Sequence, residues 1–212
     1  MTAGRHRRAR SHAVGPAVKR LIDLALCVLS LPVTVPIGLV VAALVKATSR
    51  GPVLYRARRV GRHGRPIEVL KFRTMRVNCT GPRVTRSGDH RITLAGRFLR
   101  ASKLDELPQI INVLRGDMSI VGPRPEDPKY VASYTPEQRQ VLSVRPGITS
   151  LAFLRFGHEQ EWIERARPLD AESFYITEIL PEKLAIELSY VREWSVRGDL
   201  RILTRTLTGL RS

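Results

Sequence analysis

Hydrophobic positions fall along this chain in three regimes. From Leu21 to Lys46 they are nearly continuous, in "LIDLALCVLSLPVTVPIGLVVAALVK". A run of that length reaches across a bilayer and is excessive for one buried helix of a soluble protein. Next, two short strand-like runs, "PVLYRARRV" (52–60) and "PIEVLKF" (66–72), flank "GRHG" and predict a β-hairpin. Beyond residue 90 the spacing turns helical. "RITLAGRFLRAS" (91–102) predicts a short helix. In "KLDELPQIINVLRGD", Leu104, Leu107, Ile111 and Leu114 recur on one helical face. Asp105 is expected at that helix's N-cap, Pro108 in its first turn and Gly116 at its stop. "VGPRPEDP" (121–128) predicts a rigid loop, "TPEQRQVLS" (135–143) a Thr-capped helix and "RPGITS" (145–150) a turn. Residues 181–210 predict amphipathic helix, and the polar 76–90 stretch a mobile loop. The fold class is therefore α/β, mostly helical with a small β-hairpin.

Charge changes the picture. Among 212 residues the net charge is +17, with a pI near 11.2. The partner class is polyanionic: nucleic acid, anionic lipid or phosphorylated substrate. Aromatic residues make up only 6%, which argues against base stacking on single strands. Two cysteines, Cys27 and Cys79, form no disulfide framework or metal pattern, which fits a reducing cytoplasmic setting. Residues 1–17 form a basic tail, expected to be disordered and to touch anionic headgroups. The apolar run outlasts a signal-peptide core, and no small-residue cleavage site follows it.

Basic residues crowd both flanks of the apolar run. Arg5, Arg7, Arg8, Arg10, Lys19 and Arg20 precede it; Lys46, Arg50, Arg56, Arg58, Arg59 and Arg62 follow. Positive flanks stay on the cytoplasmic side, so a straight span strands one cluster outside and a re-entrant hairpin keeps both inside. Pro32 and Pro36 supply a bend, each removing an N–H donor. Ser30 and Thr34 are expected to satisfy freed backbone groups, and Asp23 to pair with Lys19 or Arg20. One kinked, tilted spanning helix is the alternative; the charge distribution favours re-entry.

Candidate chemistry centres on Asp105 and Glu106. Adjacent carboxylates at a helix start are either ordinary capping residues, a nucleophile or metal ligands. Arg97, Arg100 and Lys103 precede the pair. Arg124, between Pro123 and Pro125, and Arg145, before Pro146, are basic groups stiffened by proline, as a phosphate site requires. The five histidines show no metal spacing.

These blocks resemble the bacterial sugar transferase family, the small monotopic phosphoglycosyl transferases that begin polyprenyl-linked glycan assembly. The matching runs are "GPVLYRARRVGRHGRPIEVLKFRTM" (51–75), "GRFLRASKLDELPQIINVLRGDMSIVGPRPE" (96–126) and "VRPGIT" (144–149). The resemblance implies a monotopic protein with a re-entrant membrane helix over 18–48, broken at Pro36 with Pro32 as second candidate, and a cytoplasmic catalytic domain over 49–212. It implies an Asp105–Glu106 catalytic dyad that also holds Mg²⁺. Lys71, Arg100 and Arg124 become phosphate contacts, with Arg73 and Arg145 counted beside them. The implied reaction moves a sugar-1-phosphate from a nucleoside diphosphate sugar, a UDP-sugar, to polyprenol (undecaprenyl) phosphate through an aspartyl-phosphosugar. It belongs to exopolysaccharide biosynthesis at the cytoplasmic face of the bacterial inner membrane, with anionic lipid as partner, no nucleic acid, and room for an oligomer. "LPEKL" (180–184) and "SYVRE" (189–193) match one branch of the family, whereas "SLAFLRFGHEQEW" after Thr149 departs from it, where sugar selection is expected. The rival readings are a membrane-tethered nucleic-acid binder and a non-catalytic membrane scaffold.

Overall fold

The computed structural model describes residues 3–77, 88–157, 162 and 170–209. Cys79 and most of the 76–90 loop lie outside the described residues. The order of elements is α1 (Ala3–Thr48), β1 (Leu54–Val60), β2 (Pro66–Phe72), α2 (Leu94–Ala101), α3 (Gln109–Arg115), β3 (Ser119–Val121), α4 (Pro128–Val131), β4 (Gly147–Thr149) and α5 (Phe153–Phe156). Then α6 (Ala171–Phe174) runs through a π-turn (Tyr175–Ile179) into α7 (Leu180–Glu193), and α8 (Val196–Gly209) follows. The expected 181–210 helix is thus two, bent at Trp194, whose ψ of 134° leaves the helical region.

The hairpin stands as the sequence predicts. β1 and β2 pair antiparallel from Leu54↔Phe72 to Val60↔Pro66. On the other edge of β2 the fully buried Asn112 of α3 takes the place of a strand. Its Oδ1 accepts from Leu70 N–H (2.9 Å) and its Nδ2 donates to Glu68 O (2.7 Å), closing the open edge. A second, parallel pair joins β3 to β4, Ser119↔Gly147 and Val121↔Thr149, where sequence patterning predicts only a loop and a turn. Two glycines make that pairing possible. A Cβ on Gly147 would lie 2.2 Å from Gly122 N, and one on Gly122 would lie 2.6 Å from Arg145 O.

Helix α1 departs from expectation at several points. It is assigned as helix from Ala3, through the stretch expected to be a disordered tail, with Pro16, Pro32 and Pro36 inside it. Its Gly15–Thr48 part is long and apolar enough to cross a membrane, with a mean hydropathy of 2.4 and 11% burial over its most apolar window. By the i→i−4 rule the prolines free the Val28 and Pro32 carbonyls. The hydroxyls of Ser30 and Thr34 instead donate to Cys27 O (2.8 Å) and Ser30 O (3.0 Å). Asp23 pairs with neither neighbouring cation. It is buried and accepts from Ser119 Oγ (2.8 Å) and Ile120 N–H (3.1 Å) at the start of β3. Lys19 reaches Asp199 of α8 at 2.6 Å, and Arg20 donates to the carbonyls of Val113 (2.6 Å) and Leu114 (3.1 Å).

Among the described residues, four apolar clusters make the interior. One joins Val60, Tyr130, Tyr175 and Leu184 beneath α7. Two recruit α1 directly: Cys27 with Ala57, Val69, Val113 and Met118, and Val41 and Val45 with Phe72 and Leu99. The fourth sets Ile202 of α8 against Val121 and Tyr190.

Candidate active site

Asp105 and Glu106 lie in a 3-10 turn, Leu104–Glu106, ahead of α3. Asp105 is therefore not the N-cap of α3; Pro108 occupies that position, and Gly116, at φ +92°, ends the helix as expected. The turn begins at Lys103, a non-glycine residue held at φ +57°. That conformation is uphill for a side chain bearing a Cβ and persists only where the surroundings enforce it, as they do at working sites.

The two carboxylates have opposite environments. Asp105 is buried, and its Oδ1 accepts no hydrogen bond among the described residues. Burial, then the neighbouring Glu106, pushes its pKa up, opposed by Lys71, Arg100 and Lys103. Glu106 is also buried, which alone raises a carboxyl, but Arg124 and Lys71 outweigh that and hold it well below the usual range. Its Oε1 accepts from Arg124 Nη2 (2.6 Å) and Lys71 Nζ (2.9 Å); its Oε2 meets Arg124 Nη1 at 3.4 Å. Two carboxylates pushed apart in this way take different chemical roles.

Each cation is delivered by a different element. Lys71 comes from the end of β2 and Arg124 from the loop after β3. Arg100, on α2, donates to Thr74 Oγ1 (2.9 Å), and burial lowers its pKa. Lys103 and Arg124 both lie over the Phe153 ring, 5.4 and 5.7 Å from its centroid. Burial, then Arg124, lowers the Lys103 pKa. Lys71 and Arg124 thus meet Glu106 and Arg100 acts on Asp105, joined by Lys103, which the sequence shows only as one of a basic run. Phe153 carries no sequence signal, because two phenylalanines three residues apart in "SLAFLRF" look like ordinary core positions.

Arg73 and Arg145 are engaged elsewhere. Arg73 is buried and ties down the end of α1, donating to Arg50 O (2.7 Å) and to Ser49 O and Oγ (2.8 Å each). Gly51 makes room for it: φ is +119°, and a Cβ there would lie 2.1 Å from Arg73 Nη1. Arg145 donates to Gly116 O (2.8 Å). With Arg20 it caps the carbonyl end of α3, where the helix dipole favours cations, at the opposite end of that helix from the dyad.

Among the described residues no cluster of three metal-type side chains exists. Mg²⁺ does not need one, since it takes one or two carboxylates and completes its shell with water and substrate phosphate. The uncommitted, buried Asp105 Oδ1 fits such an ion; Glu106 fits through Oε2, the less engaged of its oxygens.

The family model described as bacterial sugar transferase matches residues 14–211. A UDP-glucose:undecaprenyl-phosphate glucose-1-phosphate transferase of Caulobacter vibrioides is 38% identical over 200 residues, covering 91% of this chain and 69% of that protein. An Escherichia coli protein of the same name is 37% identical over 204 residues, covering 92% of this chain but 40% of its own length. A UDP-N-acetylgalactosamine-undecaprenyl-phosphate N-acetylgalactosaminephosphotransferase of Aeromonas hydrophila is 36% identical over 166 residues, covering 75% of this chain and 39% of that protein. The chain therefore spans well under half the length of the last two. With dyad, basic residues and apolar helix all inside the matched span, the chain belongs to the bacterial sugar transferase family.

Proposed function

We propose that this protein transfers a sugar-1-phosphate from a UDP-sugar to polyprenol phosphate, at the cytoplasmic face of the bacterial inner membrane, as the first membrane step of an exopolysaccharide. The observation that carries this reading is the buried Asp105 carboxylate with an uncommitted oxygen, ringed by Lys71, Arg100 and Lys103 beside the Arg124–Glu106 pair. Such a ring suits a diphosphate and a carboxylate that attacks it.

In the first half-reaction Asp105 attacks the sugar-bearing phosphorus. A carboxylate–phosphorus bond forms, the bond to the UMP oxygen breaks, and UMP leaves with the electron pair. Polyprenol phosphate then attacks the same phosphorus, restoring Asp105 and giving the diphosphate-linked sugar. Glu106 keeps Lys71 and Arg124 poised at one place, so the donor meets cations already assembled rather than scattered. Bound Mg²⁺, held by Asp105 and Glu106, would offset charge on the diphosphate.

The membrane part of the proposal is a re-entrant hairpin over 18–48, with a basic lead-in over 1–17 and the catalytic domain over 49–212. Its support is the basic residues on both flanks of the apolar run, with Pro32 and Pro36 inside it. Asp23 and Cys27 are buried on the domain, Val41 and Val45 are buried on it again, and between them Leu29, Val33, Val35, Leu39 and Val40 stand exposed. In the structure α1 runs unbroken from Ala3 to Thr48, with half-buried Ser30, Leu31, Thr34 and Gly38 continuing the same face, so the apolar opposite face carrying Pro32 and Pro36 is the part left to lipid, and the bend belongs to the proposal.

The test is a half-reaction. With UDP-sugar and Mg²⁺ but no lipid acceptor, the protein should release up to about one equivalent of UMP and carry a hydroxylamine-labile phosphosugar. Asp105→Asn should abolish both. Wild type that releases UMP only when both substrates are present would overturn the covalent mechanism, and a fully active Asp105→Asn would overturn the site.

A further inference from the structure

Helix α7 carries two buried charges one turn apart, Lys183 and Glu187, on the side facing the Pro123–Glu126 loop. Lys183 is tied into a buried polar group. Its Nζ donates to Glu126 Oε1 (3.0 Å) and Tyr175 Oη (2.8 Å), and Tyr175 donates to the same Glu126 oxygen (2.7 Å). Glu187 is only 4% exposed. The Ser150 hydroxyl and the backbone N–H groups of Arg124 and Ala152 turn toward its carboxyl. Neither oxygen completes a hydrogen bond of full geometry, and both are sealed from solvent. The loop, Lys183 and Glu187 also line a cavity of about 20 Å³, the space for roughly one water centre. The backbone behind Arg124 therefore rests on a buried acid with slack around it.

We infer that Glu187 is a positioning residue for the donor diphosphate: its buried carboxylate, on the cavity wall beside the backbones of Arg124 and Ala152, biases where those backbones sit, and with them the guanidinium that grips Glu106 and the Phe153 ring under Arg124 and Lys103. This rests on the reading that Arg124 meets the donor. An anionic carboxylate accepts from all three donors at once, whereas a protonated one offers a weaker acceptor and a competing donor. Burial pushes this carboxyl up to about 7, against the Ser150 and Arg124 contacts, Lys183 and the Ala152 N–H. The other ionisable groups around it are Tyr190 on its own helix, Tyr134 from the segment after α4, and Glu126 on the cavity wall. The two phenols are pushed up, out of the neutral range, and Glu126 is held below the usual carboxylate range by Lys183 and Tyr175 despite its burial. Glu187 is thus the group that changes state near neutrality. The anchor is engaged above its pKa and released below it.

Two measurements on the full chain in detergent or nanodiscs decide the matter. In the first, amide exchange of the 123–126 and 150–153 backbone is compared, after correction for intrinsic rates, in wild type, Glu187→Gln and Glu187→Asp at pH 6 and pH 8. Glu187→Gln should open both segments faster at pH 8 and match wild type at pH 6; Glu187→Asp, which keeps the charge, should fall between. In the second, KM for the UDP-sugar should rise on the order of tenfold in Glu187→Gln at pH 8, the loss of one charge-assisted contact, with little change at pH 6. Exchange that is the same in wild type and Glu187→Gln at both pH values overturns the inference. Faster exchange in a protein that turns over no UDP-sugar leaves the anchor standing and sinks the functional reading instead.

Discussion

Removing the Arg124 guanidinium should injure both the fold and the reaction, in amounts that pH separates. Arg124 contacts both oxygens of Glu106, at 2.6 and 3.4 Å, and the two side chains are 29% and 11% exposed, so solvent screens the pair little. In Arg124→Ala, Lys71 is left as the direct ion-pair partner of the buried carboxylate. Loss of one charge-assisted interaction of this kind costs about 1.5–3 kcal/mol. For a chain of this size that lowers Tm by about 3–12 °C. The sign with pH follows from Glu106, whose pKa is depressed in the fold. Its stabilisation is present above the ordinary carboxylate range and is lost as pH falls through the depressed value. In the variant, burial is opposed by Lys71 and by the more distant Lys103 but no longer by Arg124, so Glu106 takes up a proton at a higher pH and sheds the penalty. The gap between wild type and variant should therefore be widest at pH 7 and narrow toward pH 4. Thermal unfolding in detergent at both values measures it. In parallel, KM for the UDP-sugar should rise about 10- to 150-fold, the same energy expressed as affinity. Arg124→Lys should recover part of the stability but less of the binding, since an ammonium is a compact point charge without the planar two-pronged fork of a guanidinium. A variant with wild-type Tm and wild-type KM at pH 7 would refute both the pair's worth and the place of Arg124 in the site.

Two further outcomes are expected. With Cys27 and Cys79 replaced, Arg10→Cys and Arg62→Cys should both be shielded from an impermeant thiol reagent in intact cells; labelling of one alone means a true span. Gly147→Ala forces a Cβ to within 2.2 Å of Gly122 N, so it should cost about 1–3 kcal/mol by overpacking and raise donor KM, because the β3–β4 pairing carries Arg124. Wild-type denaturant midpoint and KM in that variant would remove the close approach from the account.

Local chemistry made much of this legible. The hairpin shows because strand-forming runs flank a glycine turn; α2 shows as a helical run, while its Thr93 cap, accepting from Gly96 N–H at 2.9 Å, appears only in the structure. Asp105, Glu106 and Arg124 stand out by charge beside proline and helix start, whereas Lys71 joins them only through the resemblance, since the members lie up to 53 residues apart in the chain. What stayed hidden depends on long-range contact. The β3–β4 pair is three residues per strand, too short for a period. Arg73 and Arg145 look like phosphate ligands because charge beside a turn is the same signal whether the partner is a substrate or a helix carbonyl. Glu187 sits in an ordinary amphipathic run, and nothing in the sequence says that this one acid faces inward.

The hydropathy step near residue 48 invites a cut between an anchor and a soluble enzyme. Cutting there would remove Asp23 from Ser119 and Ile120, Arg20 from the carbonyls of α3, Cys27 from one cluster and Val41 and Val45 from another. A fragment starting at residue 49 would expose two unfilled apolar faces and leave the strand leading to Arg124 without its buried acceptor. The long apolar helix is thus also an internal strut, and the folding boundary does not coincide with the hydropathy boundary. Engineering for soluble expression has to repaint the exposed positions between Val28 and Val40 with polar residues, and to leave Lys19, Arg20, Asp23, Cys27, Val41 and Val45 in place.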